Sequence, residues 1–304
     1  MAPSIKIPDS YTSFNLPGLL LSHHPESSQT VTPVIIVKLH RPAARNGFTA
    51  ELGDVLVTAF DTLSADRRVK CVVLTSSDAS NRIFCAGLDL TVKHDVSASL
   101  NEHRDMGGLV SLAIYRCNKP VIAAINGSAV GIGITMTLPA NIRVVSSAAK
   151  VGVVFGRRGF NMDACSSFFL PRLVGASRAL HLTTTGAVFP AGHKVFGDLF
   201  SEVVEPDRVL PTALSIADEV AANVSPVASK VMKDLIYRAT SSPEEAHLLE
   251  SRLLIDLQKG RDADEGVQSF LQKRLPDFKG TMEEDSPRAY PWWTPVDIRA
   301  KSKI

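Results

Sequence analysis

A strand, a helix and a second strand follow one another between residues 34 and 75, and that order leaves the chain few folds. The run VIIVKLH from Val34 is apolar enough to be a buried strand. RPAARNGFT follows as a turn-rich loop, and residues 50–63 then place Leu52, Val55, Leu56, Ala59 and Phe60 at helical spacing. The next strand, 71–75, comes directly afterwards. A helix between two strands returns the chain so that they run parallel, and the sequence therefore predicts an α/β domain with a parallel sheet. A helix is expected over 100–117, ending before Lys119-Pro120 because proline disfavours helix in the residue before it. Further on, 121–125 reads as a strand, a helix begins at Gly175, 190–197 reads as another helix and 201–204 as a short strand. Beyond residue 210 only helices are expected, over 211–223, 226–239, 243–259 and 264–273, each opening near a Pro or an acidic residue suited to a first turn. Four regions result: an arm (1–33) with an edge strand near 19–21, a core (34–210), a helical region (211–280) and a tail (281–304).

The candidate chemistry is concentrated in residues 119–173. After the strand at 121–125 the chain breaks at Asn126-Gly127, and a small-residue helix begins near Gly131. A helix start that follows a Gly-rich turn presents unpaired N–H groups, which can hold developing negative charge. Upstream, Phe84-Cys85-Ala86-Gly87-Leu88-Asp89 ends a polar loop. Gly87 there allows close backbone approach, so the Leu88 N–H can face a bound carbonyl; the same segment also reads as an ordinary strand-to-helix turn. Asp163 stands between Met162 and the small run Ala164-Cys165-Ser166-Ser167, just ahead of a helix. Few polar neighbours make it a candidate for a raised pKa and for proton transfer, and Asp is also a good helix cap, so the local sequence leaves both roles open.

Other chemistries are disfavoured. Gly131-Ile132-Gly133 lacks the third glycine and the downstream acid of a dinucleotide site. His40, His94, His103, His181, His193 and His247 read as loop or helix-surface residues. The four cysteines, Cys71, Cys85, Cys117 and Cys165, show no CxxC spacing and read as free thiols in a reducing compartment. A formal net charge of +2 without a long basic run argues against a nucleic-acid partner. No apolar run is long enough to span a bilayer, and the N-terminus lacks the pattern of a secretory signal. Ser302-Lys303-Ile304 differs from the peroxisomal address Ser-Lys-Leu only by one aliphatic side chain for another.

Four ordered blocks, FCAGLDL, KPVIAAINGSAVGIGITMTLPANIRV, FLPRLVGASRAL and DEGVQSFLQKR, resemble the crotonase (enoyl-CoA hydratase/isomerase) family over about residues 34–278. In look the chain is most similar to the peroxisomal delta(3),delta(2)-enoyl-CoA isomerases. The resemblance implies a crotonase-like spiral of ββα units with a helical C-terminal trimerisation region, assembled as a homotrimer or hexamer. It also implies an acyl-CoA thioester whose carbonyl oxygen sits between the amides of Leu88 and Ile132, in turns formed by Ala86, Gly87, Asp89 and Gly131. No metal or redox cofactor is expected, since coenzyme A is part of the substrate.

The two glutamates of the family's hydratases align with Thr135 and Phe155, and neither residue can be a general base. Asp163 aligns with the isomerase glutamate, one methylene and about 1.5 Å shorter in reach. The expectation is a peroxisomal enzyme that shifts the double bond of a 3-enoyl-CoA to the 2-position, with Asp163 as its acid–base group and the peroxisomal import receptor as a partner. Three alternatives remain: a hydratase, including one in a toxin or siderophore pathway; a catalytically weak acyl-CoA-binding member; and an RNA-binding member.

Overall fold

The computed structural model describes residues 5–92, 99 and 101–298. The chain runs β1 (Leu19–His24), β2 (Val34–Leu39), α1 (Ala50–Ala65), β3 (Cys71–Ser76), β4 (Ile83–Cys85), α2 (Met106–Arg116), β5 (Val121–Ile125), β6 (Ser128–Val130) and α3 (Ile132–Thr135). It continues through β7 (Ile142–Ser146), β8 (Lys150–Gly152), α4 (Ser166–Val174), α5 (Ala176–Thr185), β9 (Val188–Pro190) and β10 (Glu202–Val204). Five helices follow: α6 (Val209–Asn223), α7 (Pro226–Tyr237), α8 (Pro243–Gln258), α9 (Arg261–Leu271) and α10 (Met282–Asp285).

Two sheets stack in a spiral. The larger has the order β1-β2-β3-β5-β7-β10 and the smaller β4-β6-β8-β9. Among the described residues, only β1 and β9 run antiparallel to their neighbours. The pairs β3–β4, β5–β6 and β7–β8 each send their first strand to the large sheet and their second to the small one, and a helix follows each pair. This is the repeated ββα unit implied by the family resemblance. β6 and β8 have three residues each, too few for a two-residue period to be visible in sequence.

Three expected elements differ. The helix placed at 100–117 begins at Met106, because Asp105 caps it by accepting a bond from the Gly108 N–H at 2.6 Å. Residues 190–197 do not form a helix: Phe189 pairs with Val151 in the small sheet as part of β9, and only Lys194–Phe196 make a single 3-10 turn. The helix expected from Gly131 is the four-residue α3, preceded by the unpredicted strand β6.

The large sheet is covered on both faces. On one, Ile35, Val37, Val72, Leu74, Ala123 and Ile125 pack with Leu56 and Phe60 of α1 and Val110 and Ile114 of α2. On the other, Val34, Cys71, Val73, Ile122 and Ala124 meet Val209, Ala213, Ala217 and Ala221 of α6. Alanines at every fourth position bring this helix close to the strands. The composition change near residue 210 therefore marks a change of element type, since α6 still covers the sheet.

The helical region is also fastened to α2. Lys230 and Lys233 of α7 donate to Tyr115 O at 3.4 Å and Ile114 O at 3.3 Å, the carbonyls at the negative end of the α2 dipole. Burial, with Lys230 alongside, pulls the Lys233 ammonium down to about 7. Asp234 answers these charges, pairing with Lys230 at 3.3 Å and accepting from Tyr290 Oη at 2.7 Å. Anchored at its far end, α2 presents a fixed head.

Candidate active site

The site lies where two neighbouring strands of the small sheet end. β4 and β6 are parallel, with Cys85 opposite Ala129, so their C-terminal turns emerge side by side. The first turn is Ala86-Gly87-Leu88. Phe48 N–H donates to Gly87 O at 2.8 Å and Asp89 N–H donates to Phe48 O at 2.9 Å. In that pattern of a parallel bridge, the N–H of the intervening Leu88 points away from Phe48. The second turn is Gly131-Ile132, where Ile132 is the first residue of α3 and its N–H has no carbonyl within its own helix.

The two turns interlock through glycines. Gly87 has φ +93, and a Cβ there would stand 3.0 Å from the Val130 backbone oxygen. A Cβ on Gly133 would collide with the Cys85 carbonyl, so α3 can sit against the end of β4 only without one. Gly131 has φ +55 and opens α3.

The other residues picked out in the first turn serve its framework. Ala86 N–H donates to Arg45 O at 3.1 Å. Asp89 pairs with Arg41 at 3.2 Å and accepts from Thr91 Oγ1 at 2.6 Å, bonds that hold its carboxyl below the usual range, Thr91 contributing most. Buried Asn46, which the sequence reading passed over, bonds Ser76 Oγ at 2.9 Å and Phe84 O at 3.0 Å and so ties the β2–α1 loop to β4.

Asp163 lies against α3, behind the second turn, and is only partly exposed. It does not cap α4 with its side chain; the Ser166 N–H and hydroxyl both bond its main-chain carbonyl, at 2.9 and 2.5 Å. Its Oδ1 accepts instead from the fully buried Thr135 hydroxyl at 3.1 Å. Burial lifts the carboxyl up to about 6 and the negative charge of Asp105 adds to this, while the Thr135 bond pulls the other way. Such a group can hold or release a proton near neutral pH.

Asp105 was not anticipated as part of the site, and its only sequence signal was an Asp before Met106-Gly107-Gly108. Phe155 is half-buried and packs against the core. His94 lies outside the described residues. A cleft of about 400 Å³ opens beside the first turn, lined by Pro42, Arg45, Asn46, Ser77, Asp78, Ser80, Arg82 and Ile83, and does not include Asp163. Among the described residues no helix is long and apolar enough to cross a membrane, and no three His, Cys, Asp or Glu residues are grouped to hold a metal ion.

Residues 29–281 match the family described as Enoyl-CoA hydratase/isomerase. The chain is 47% identical over 255 residues to "Enoyl-CoA hydratase ACTT3" of Alternaria alternata, covering 83% of this chain and 85% of that one. It is 30% identical over 275 residues to "1,2-epoxyphenylacetyl-CoA isomerase" of Escherichia coli, covering 86% and 98%. A crystal structure from Mycobacterium abscessus, described as a probable enoyl-CoA hydratase/isomerase, superposes with a TM-score of 0.76 at 32% identity, covering 86% of this chain and all of that one.

Proposed function

The chain belongs to the enoyl-CoA hydratase/isomerase family, and on that premise we propose that it is an acyl-CoA isomerase in which Asp163 moves a proton between two carbons of a 3-enoyl-CoA. The observation that carries this reading is the Asp163 carboxyl, lifted to about 6 and bonded to Thr135 of α3, the short helix that opens with the Ile132 N–H. Asp163 removes a proton from C2, and the electron pair of that C–H bond moves through the thioester to its oxygen. The Leu88 and Ile132 amides hold this oxyanion, each donor contributing about 3 kcal/mol. The protonated Asp163 then gives its proton to C4, and the double bond comes to rest between C2 and C3. Arg45 and Arg82 at the adjoining cleft complement the phosphates of coenzyme A.

A hydratase is the second reading, favoured by the name of the Alternaria relative. Separate incubations with 3-enoyl-, 2-enoyl- and dienoyl-CoA distinguish the two. The isomerase reading expects 3-enoyl-CoA to become 2-enoyl-CoA. Conversion of 2-enoyl-CoA to 3-hydroxyacyl-CoA, with 3-enoyl-CoA left untouched, would replace it.

We further propose a homotrimer or a dimer of trimers built on the C-terminal helices. Leu248 and Leu254 of α8, Val267, Phe270 and Leu271 of α9, and Leu275 are exposed in the single chain, Phe270 at 82%. Exposed apolar side chains this frequent on neighbouring helices suit an interaction surface. Light scattering at micromolar concentration should give three or six chain masses, and a fully active monomer would remove the proposal.

The proposed location is the peroxisome, read from Ser302-Lys303-Ile304, which lies outside the described residues. A fluorescent reporter ending in these three residues should be imported. A diffuse signal, beside an imported Ser-Lys-Leu control, would refute the assignment.

A further inference from the structure

Two carboxylates face one spot at the head of α2. A Cβ on Gly107 would lie 3.1 Å from Asp163 Oδ2, 3.3 Å from Asp105 Oδ1 and 2.7 Å from Ile132 Cδ1. Asp105 Oδ1 is held in place, accepting from the Gly108 N–H at 2.6 Å and from the Ala164 N–H at 3.4 Å. The second bond crosses from α2 to the residue directly after Asp163. Ala164 and Cys165 there have φ of +57 and +54, a left-handed conformation that non-glycine residues keep only where their surroundings impose it.

We propose that Asp105 is a positioning residue for proton transfer by Asp163: it anchors the strained Ala164-Cys165 segment and sets a second negative charge opposite Asp163 across Gly107. The proposal rests on the reading of Asp163 as the acid–base group. Among the described residues, few groups surround Asp163. Asp105 faces it from α2, the Thr135 hydroxyl from α3, and the Cys165 thiol from its own segment, with Arg116 acting on that thiol from the far end of α2. Arg104, next to Asp105, reaches the carbonyls of Asn101, His103 and Ile298. Asp105 is thus the charge that adds to burial in raising the pH at which Asp163 gives up its proton.

The test compares Asp105→Asn with the wild type. Asn is as good an N-cap as Asp and keeps an oxygen for both amides, so the fold and the anchor persist while the charge is lost. The Asp163 titration midpoint, read from its carboxyl carbon signal by NMR on the free enzyme, should fall by about 0.5–1 pH unit, as expected for a partly solvated charge a few ångströms away. The acidic limb of kcat/KM should move with it. Asp105→Ala, which also loses the anchor, should lower kcat across the whole pH range more than it changes KM. An unmoved midpoint in a folded Asp105→Asn protein overturns the proposal, because a merely structural cap would behave that way. The carboxyl signal does not depend on which acyl-CoA reaction occurs. A shifted midpoint combined with an active Asp163→Asn protein therefore overturns the proposed function and leaves the link between the two acids standing.

Discussion

Asp163→Asn is expected to lower turnover of a 3-enoyl-CoA by at least about a hundredfold while changing acyl-CoA affinity by less than about threefold. The side chain makes no cap bond to α4, and an amide can still accept from Thr135 Oγ1, so the loss is confined to proton transfer. The wild-type rate should fall on the acid side as Asp163 is protonated around pH 6, and the residual Asn rate should lack that limb.

Stability should move the other way. The carboxyl's folded-state value lies above its unfolded one, so its contribution to stability is fully present below the unfolded value near 4 and is lost as pH rises through about 6. Above that window the Asn protein should be the more stable by on the order of 1–2 kcal/mol, with the difference shrinking toward pH 4. Asp163→Glu keeps the charge and should retain more activity than Asn. Turnover in the Asn protein within a few-fold of wild type would place the proton transfer elsewhere.

Gly87→Ala should reduce kcat by about 10²–10³, the effect of losing one oxyanion donor. Two constraints act at this residue. Its φ of +93 is strained for alanine, and the added Cβ would press on the Val130 backbone oxygen at 3.0 Å, which cannot swing aside as a side chain would. Relief requires the turn to shift, and the Leu88 N–H shifts with it. Gly175→Ala is the control, since Gly175 has φ +81 between α4 and α5 but nothing within 4 Å of an added Cβ. It should lose stability and keep its kcat. If the folded Gly87→Ala protein matches the Gly175→Ala protein in kcat, the first turn contributes no donor.

The elements that were legible in the sequence are those with enough residues to show a period. The strands of the large sheet at β2, β3 and β5 are apolar runs of five or six residues, and α1 carries Leu52, Leu56, Phe60 and Leu63 on one buried face. The small sheet was not legible because Ile83–Cys85, Ser128–Val130 and Lys150–Gly152 are strands through their partners alone. Pro190 is the plainest case: the run 190–197 reads as a helix, and pairing of Pro190 with Lys150 puts its first residue in a strand. In the site, glycine placement pointed to both turns. The local sequence left cap and base both open for Asp163; the partner its side chain takes away from the helix end, Thr135, is 28 residues away. Asp105 reaches the site only through the Ala164 amide, 59 residues on, and nothing local announces that.

The two N–H groups at the ends of β4 and β6 belong to the main chain, and they sit on consecutive turns of the spiral. Their supply is therefore indifferent to which side chains stand at 88 and 132, so long as Gly87 and Gly133 keep the strand ends close. The acids arrive separately, Asp105 at the head of α2 and Asp163 ahead of α4. On the proposed reading, a carboxylate can be exchanged on one turn of the spiral without changing the two main-chain donors. Thr135 and Phe155 are not free positions for such an exchange, since Thr135 is fully buried and bonds Asp163 and Phe155 packs against the core.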